Sequence, residues 1–367
     1  MSSNPGSACF FSKYSQRTFL YDNRGFKENL ARELLSIGRN IGHRSLLIPT
    51  TDEGAVFAAE YADILKEHFT FPNQSVELVR SLCSKKDMYY LAQKFKIPTP
   101  EAVFPQSRDD VSNFLEIASF PIMLKAIHGW RLLKRSGTSG IIVRTKRDLF
   151  EKYDAMEDPD EPNLMLQEYI PGGDDSVWMF NGYFSERSDC IVGFTGKKIR
   201  QWPIHRGVTS LGVCLKNETV AKTSREFMQA LGYKGIVDMG YRYDGRDGQY
   251  KVLDINPRIG ATFRLFVSDN GMDVARVLYH DMTGRPMTIG RVPEGRKWIV
   301  EDLDVESSLL CLLDGSLHLK EWFSSYNGIR ESAYFTSDDP VPFLQMLVSN
   351  LGKASFLPIR SLWRSNH

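Results

Sequence analysis

Apolar positions return every three or four residues through GFKENLARELLSIG (25–38), the spacing of one buried helix face, and predict a helix closed by Gly38. The apolar run RSLLIPT (44–50) predicts a short buried strand. Thr51 or Asp52 then caps a helix over TDEGAVFAAEYADILKEH. A further helix runs from Lys85 to about Phe95 in SKKDMYYLAQKFKIPTP, stopped by Pro98 and Pro100. Beyond residue 100 the pattern turns to strands in FPIMLKAI, IIVRT and LMLQEYI. Between the first two lies HGWRLLKRSGTSG (128–140), a glycine-bearing loop, and RDLFEKYDAM is helical. Strands dominate 176–215, ETVAKTSREFMQALG is a helix, and two strands flank YDGRDGQ. A mixed tail follows 290, with DGSLHLKEWFSS as its helix; no repeat and no low-complexity segment interrupts the chain.

At 367 residues the chain exceeds what one core usually serves, so two or three subdomains are expected. Its 46 Lys and Arg against 45 Asp and Glu leave a net charge of +1, too little for a field that gathers nucleic acid or an anionic membrane. The five cysteines are scattered with no CxxC pair, which points to a reducing compartment and away from structural zinc. The first residues lack the apolar core of a signal peptide and no run of 18 apolar residues occurs, so a cytoplasmic protein is expected. A homo-oligomer is compatible with the sequence, which does not encode an oligomeric state readably.

Candidate chemistry concentrates in YKVLDINPRIG (250–260). Strand alternation puts Asp254, Asn256 and Arg258 on one face with Val252, and Lys251, Leu253 and Ile255 on the other. The preceding strand KGIVDMGYRY should pair with it as an antiparallel hairpin. With the turn centred on Arg246, Asp238 directly opposes Asp254 at roughly 5 Å between Cβ atoms. Two carboxylates and the Asn256 amide oxygen then converge, a hard-oxygen set suited to Mg²⁺. A bulge would shift that register, and solvated acids on an open face are the plain alternative.

Lys125 sits in a strand with apolar neighbours and needs an anion, unless it snorkels to water. The next segment offers Lys134, Arg135, Ser136, Gly137, Thr138 and Ser139, whose backbone N–H groups and cations could cover a polyphosphate. Neither GxGxxG nor GxxxxGK[ST] is present. LMLQEYIPGGDD could offer backbone to an adenine edge and Asp174 or Asp175 to ribose, although PGGDD is also an ordinary strand exit. GKKIRQWPIHRG groups four cations around Trp202 and suits a phosphate or a substrate carboxylate, while His205 has no partner spacing that marks catalysis.

Taken in order, SKKDMYYLAQKFKIPTP, FPIMLKA, SGTSG, LQEYIPGGDD, GKKIRQWP and KVLDINPR resemble the ATP-grasp superfamily and, within it, carboxylate–amine ligase-like proteins. The similarity runs from about 45 to 345. It implies an α/β (α+β) ATP-grasp fold behind a Rossmann-like leading subdomain that lacks its first strand and glycine-rich turn. The parts expected are 1–80 for that subdomain, 81–175 for the lid, 176–290 for the catalytic subdomain and 291–367 for an extension. The resemblance implies that Asp254 and Asn256 ligate Mg²⁺ (or Mn²⁺), two ions in all, with Asp238 as partner acid. Arg258 would hold the transferred phosphate, with Lys198 and Arg206 as further catalytic cations. ATP would be bound by Lys85 (Lys86 being the near alternative), Lys125, the 136–139 turn, Gln167, Glu168, Tyr169, Ile170, Asp174, Lys198 and Asn256. The metal-bridging acid is Asp254 where the family has glutamate, and the segment after Lys125 is longer and poorer in glycine than the common family loop.

The activity so implied is an ATP-dependent ligase joining a small carboxylate, such as an amino acid, to an amine through an acylphosphate. A catalytically silent ATP-binding protein serving regulation or assembly is the alternative. A biotin-dependent or carbamoyl-phosphate-type activity lacks its accessory domains in this chain. Acceptor choice would rest with residues around His205–Thr209, Arg264 and the leading subdomain.

Overall fold

The chain folds as two units, one of Gly38–Lys198 with Cys214–Glu294 and a smaller one of Met1–Ile37, Ile199–Val213 and Gly295–His367. Residues 4–21, 27–138 and 140–354 are described by the computed structural model. The helix expected to stop at Gly38 continues over Lys27–Ile41, because the left-handed residue that closes it is Gly42, with φ +78°.

In the larger unit Ser45–Leu46 leads into helix α1, Asp52–Glu60, capped by Thr51, and pairs in parallel with Phe69–Thr70 beyond it. Helix α2, Lys85–Lys94, is capped by Ser84, whose side chain accepts from the Asp87 amide at 3.3 Å. A four-stranded antiparallel sheet follows, ordered Ala102–Val103, β3 (Leu164–Glu168), β1 (Ile122–Ala126) and β2 (Gly140–Val143). Its apolar face, with Ile122, Leu124 and Leu166, packs against Val111, Leu149 and Tyr153.

The segment after β1 is not the expected loop but helix α3, Gly129–Ser136. Its glycines bracket the helix: Gly129 opens it, Gly137 turns left-handed just past its end at φ +73°, and Leu132 is buried in the core beneath the sheet. Glycine content suggested a loop, whereas glycine position marks the ends of a helix.

A second antiparallel group runs β7 (Gln249–Asn256), β6 (Gly235–Asp244), β4 (Val177–Phe184) and β5 (Cys190–Trp202). One face carries Val237, Met239, Tyr241, Val252 and Ile255 into a core shared with Phe180, Phe227 and Met228, the last two from helix α4 (Glu218–Ala230), and with Met88 and Ala92 of α2. Burial of that face fixes the register and turns the opposite face toward the site.

In the smaller unit, Val208–Cys214 pairs antiparallel with Lys297–Ile299, which pairs parallel with Ile329–Ser332. Arg200 donates to both oxygens of Asp304, at 2.9 and 2.8 Å, and Asp304 also accepts from Ser210 and Tyr326. Both charges are buried, so the pair is worth little net but removing one partner strands the other. Asp304→Ala is expected to destabilise the chain by about 3–5 kcal/mol, read as a lowered urea midpoint. An unchanged midpoint would show that Arg200 is hydrated in the fold.

Candidate functional site

Adjacent strands lay out the floor of the site in rows. Asn181 on β4, Asp238 on β6 and Asn256 on β7 are direct cross-strand partners. Met179, Gly240 and Asp254 form the next row, and Val177, Arg242 and Lys251 the one after. Asp238 and Asp254 therefore share a face as diagonal neighbours, which corrects the directly opposed pair expected from a turn centred on Arg246. The hairpin closes on Asp244 and Gln249, which displaces its centre, and Leu253 is left unpaired as a bulge that adds one more residue of offset. The two displacements together are even, so the acids keep a common face. Before the bulge the alternation is reversed, so Lys251 faces the site and Val252 the core, opposite to the sequence expectation.

Asn181 Nδ2 donates to Asp238 Oδ1 at 2.7 Å, and Asn256 Nδ2 lies 3.3 Å from the Asp238 carbonyl. A Cβ on Gly260 would meet Asp238 Cγ at 2.5 Å, so only glycine lets the turn after β7 come this close. Burial pushes the Asp238 carboxyl up to about 6, against the opposing pull of Arg258 and Lys198. Asn181 Oδ1 is buried with no hydrogen-bond partner among the described residues.

Lys85 Nζ lies 3.0 Å from Asp254 Oδ1 and Asp254 holds its ammonium above the usual lysine range. Burial works to raise Asp254, but Lys85, Lys125 and Arg258 outweigh it and hold the carboxyl below its ordinary value. Lys86 instead places Nζ over the Phe104 ring at 5.9 Å, so of the two lysines Lys85 reaches the acids. Arg258 donates to Asp52 Oδ1 at 2.7 Å and to Asn256 Oδ1 at 3.1 Å. Lys125 Nζ donates to Gln167 Oε1 at 2.8 Å, and burial, with help from Lys85, pushes it down to about 8. Burial likewise lowers Lys198, with Asp238 and Asp174 opposing.

At the end of β3, Glu168 binds Arg246 at 2.8 Å and Lys251 at 3.2 Å, which ties the strand exit to the hairpin turn. Ile170 is buried, and Arg242 lies over the Tyr169 ring at 5.3 Å while donating to the Gly172 carbonyl at 2.5 Å. Asp175, beside Asp174, takes an ion pair from Lys197 at 3.4 Å. The Ser136 hydroxyl donates to the carbonyls of Leu132 and Thr138, and Thr138 donates to Gly140; Ser139 and the side chains of Lys134 and Arg135 lie outside the described residues.

The basic group around Trp202 does not form one patch: Arg200 is spent on Asp304, and Lys197 sits over the Trp178 ring at 5.6 Å. Arg206 belongs to the smaller unit, as does His205, whose Nε2 is 3.1 Å from Asp314. Arg264 pairs with Asp273 at 2.5 Å. Asn181, Arg242 and Lys251 were not read from the sequence, nor was Asp52 as the partner of Arg258. A lone amide in the otherwise apolar VWMFNGYF was the available signal for Asn181.

Comparison with solved structures decides the architecture. The biotin carboxylase domain of the Hydrogenobacter thermophilus 2-oxoglutarate carboxylase, solved with MgADP, ADP and bicarbonate, matches with a TM-score of 0.62 at 13% identity over 81% of this chain and 72% of that one. The L-amino acid ligase of Bacillus licheniformis matches with a TM-score of 0.53 at 15% identity over 73% and 63%. The chain has the ATP-grasp fold. In sequence the chain is 25% identical over 249 residues to the D-aspartate ligase of Enterococcus faecium, covering 64% of this chain. The chain spans 58% of that relative's length. No family model matches the chain.

Among the described residues, no three His, Cys, Asp or Glu side chains gather as a metal site. Two carboxylates on one face of this ATP-grasp floor fit an oxygen-bound cation that takes its remaining ligands from phosphate and water. Burial raises Asp238 although Arg258 and Lys198 oppose it, so a bound cation would favour its charged form. The oxygen of Asn256 is taken by Arg258, so it would have to exchange partners to join.

A carboxyl raised from 3.8 to about 6 in the fold contributes stability below about pH 4 that is lost as pH rises through 6. Asp238→Asn cannot ionise. It should therefore gain on the parent between pH 4 and 7, by up to about 3 kcal/mol in metal-free buffer, read from paired urea midpoints. A difference that stays flat across that range would refute the raised value.

Proposed function

We propose that this ATP-grasp protein is an ATP- and Mg²⁺-dependent ligase that activates a small carboxylate as an acylphosphate and joins it to an amine. The observation that carries this reading is the convergence of Asp238, Asp254, Lys85, Lys125 and Arg258 around one sheet face, with no activated nucleophile among them. Cys83, the thiol beside this group, is pushed up to about 12 by burial and is inert as a thiolate. Charge neutralisation and positioning are what phosphoryl transfer demands of a protein, and this set supplies both.

In the proposed reaction a carboxylate oxygen bonds to the γ-phosphorus as the bond to the β–γ bridging oxygen breaks, and ADP leaves. The amine nitrogen then attacks the acyl carbon, phosphate departs with the bonding electron pair, and the amine's proton passes to solvent. Lys125 and Lys85 hold the nucleotide phosphates, with Lys198 as a third cation. Arg258, anchored by Asp52, holds the transferred phosphoryl group. Gln167, Glu168, Tyr169 and Ile170 border the base, and Asp174 the ribose. Mg²⁺, two ions held by Asp238 and Asp254 with Asn256 beside them, supplies neutralisation of phosphate charge when bound. The ligase reading gains support from the D-aspartate ligase similarity, and small amino acids and amines are the substrates it suggests.

Arg258→Ala should lower ADP release by about 10²–10³-fold while changing ATP affinity only a few-fold, measured by coupled turnover and by titration calorimetry. Asp254→Ala should lose both. Unchanged turnover in Arg258→Ala would remove its role. ATP binding without ADP release across a broad panel of acids and amines would favour a silent regulatory protein.

A further inference from the structure

A partly enclosed cavity of about 70 Å³ lies in the larger unit beside the turn that follows β7, where Pro257, Arg258 and Ile259 form part of its wall. By comparison, one buried water needs about 10–15 Å³. Ala55, Ala58 and Ala59 on α1, with Ala62 just after it, present their methyl groups to the hollow, where any larger side chain would fill it. Val79, Ile236 and Leu278 close it, and Ala58, Val79, Ile236 and Leu278 are all buried.

Two cations touch this space, and both are already engaged. Arg258 donates to Asp52, Asn256 and the Ile259 carbonyl, and Lys234 pairs with Glu186 at 3.2 Å. A second carboxylate placed here would meet methyl groups and only cations that are already paired, which is unfavourable. One donor is left over: Gln74 Nε2 is buried on the wall with no hydrogen-bond partner among the described residues.

We infer that this cavity is the side-chain pocket of the carboxylate substrate and selects an uncharged aliphatic acid of about valine or leucine size. The inference rests on the ligase reading, in which the reacting carboxylate meets the phosphoryl group at Arg258. From that position its substituent enters the hollow, and Gln74 meets any neutral acceptor it carries. The choice differs from what the D-aspartate ligase similarity alone suggests, because an aspartate side chain would bring a second negative charge into the alanine-lined wall.

Calorimetric titration of the full chain, with Mg²⁺ and a non-hydrolysable ATP analogue, would compare leucine, alanine and aspartate. Leucine should bind about tenfold or more tightly than either, the usual worth of extra methylenes in an apolar pocket. Ala58→Leu should fill the hollow and weaken leucine about tenfold while moving alanine little. Ile236→Ala, a separate change from another wall, should enlarge it and shift preference to phenylalanine. Aspartate binding as tightly as leucine, no binding by any of the three, or a preference untouched by both variants would overturn the pocket assignment. ADP release with amine present separates the two readings. Turnover that prefers aspartate removes the pocket assignment and leaves the ligase. Selective leucine binding without ADP release for any amine removes the ligase and leaves the pocket.

Discussion

One unpaired residue, Leu253, decides which side chains meet at this site. Side chains alternate strictly across a strand, so a single extra residue exchanges the two faces for everything beyond it. Val252 and Ile255 both enter the core although their numbers differ in parity, and Lys251 and Asp254 both face the site for the same reason. Without the bulge, both the apolar pair and the charged pair would be divided between core and surface. Burial of Val252 and Ile255 against Met239 and Tyr241 holds the bulge in place, so the chemistry of the open face is anchored by packing on the other.

That packing makes an expensive arrangement tolerable. Each acid on the floor is partly withdrawn from water, which costs an unpaired carboxylate stability. Asp254 escapes this through Lys85 and Lys125, which outweigh its burial. Asp238 does not fully escape, since burial outweighs the pull of Arg258 and Lys198, and its value climbs to about 6. The two acids on one face thus shift in opposite directions, one down and one up.

Much of this was legible in the sequence, and what escaped has physical causes. The helix starts near Thr51 and Lys85 and the hairpin around YDGRDGQ follow from capping, periodicity and turn chemistry, while the shared face of Asp238 and Asp254 survives only because two register displacements cancel. The bulge does not, because a strand with one unpaired residue has the same composition as a regular one. The helix Gly129–Ser136 was hidden by counting glycines where their positions mattered. Asp52 read only as a helix cap, since its partner Arg258 lies 206 residues further on and no local rule joins them. Arg242 escaped because a cation beside a turn is ordinarily solvated, whereas here Tyr169 and the Gly172 carbonyl cover it.

The floor is also self-paired, and this constrains what a ligand must do. Lys85 is held by Asp254, Lys125 by Gln167, and Arg258 by Asp52 and Asn256. The nucleotide of the proposed reaction, carrying a divalent cation, brings both signs of charge, so its phosphates would take over the lysines and its cation the carboxylates. Exchange of that kind replaces one charged contact by another and changes the total little. A bare anion or a bare cation would instead break pairs without replacing them, leaving a partly buried charge without its partner. The self-pairing thus favours a ligand of mixed charge over either component alone. Arg258 extends the same argument: in the proposed reaction, giving it to a phosphoryl group would free Asp52 at the start of α1, the helix whose alanines line the adjoining cavity.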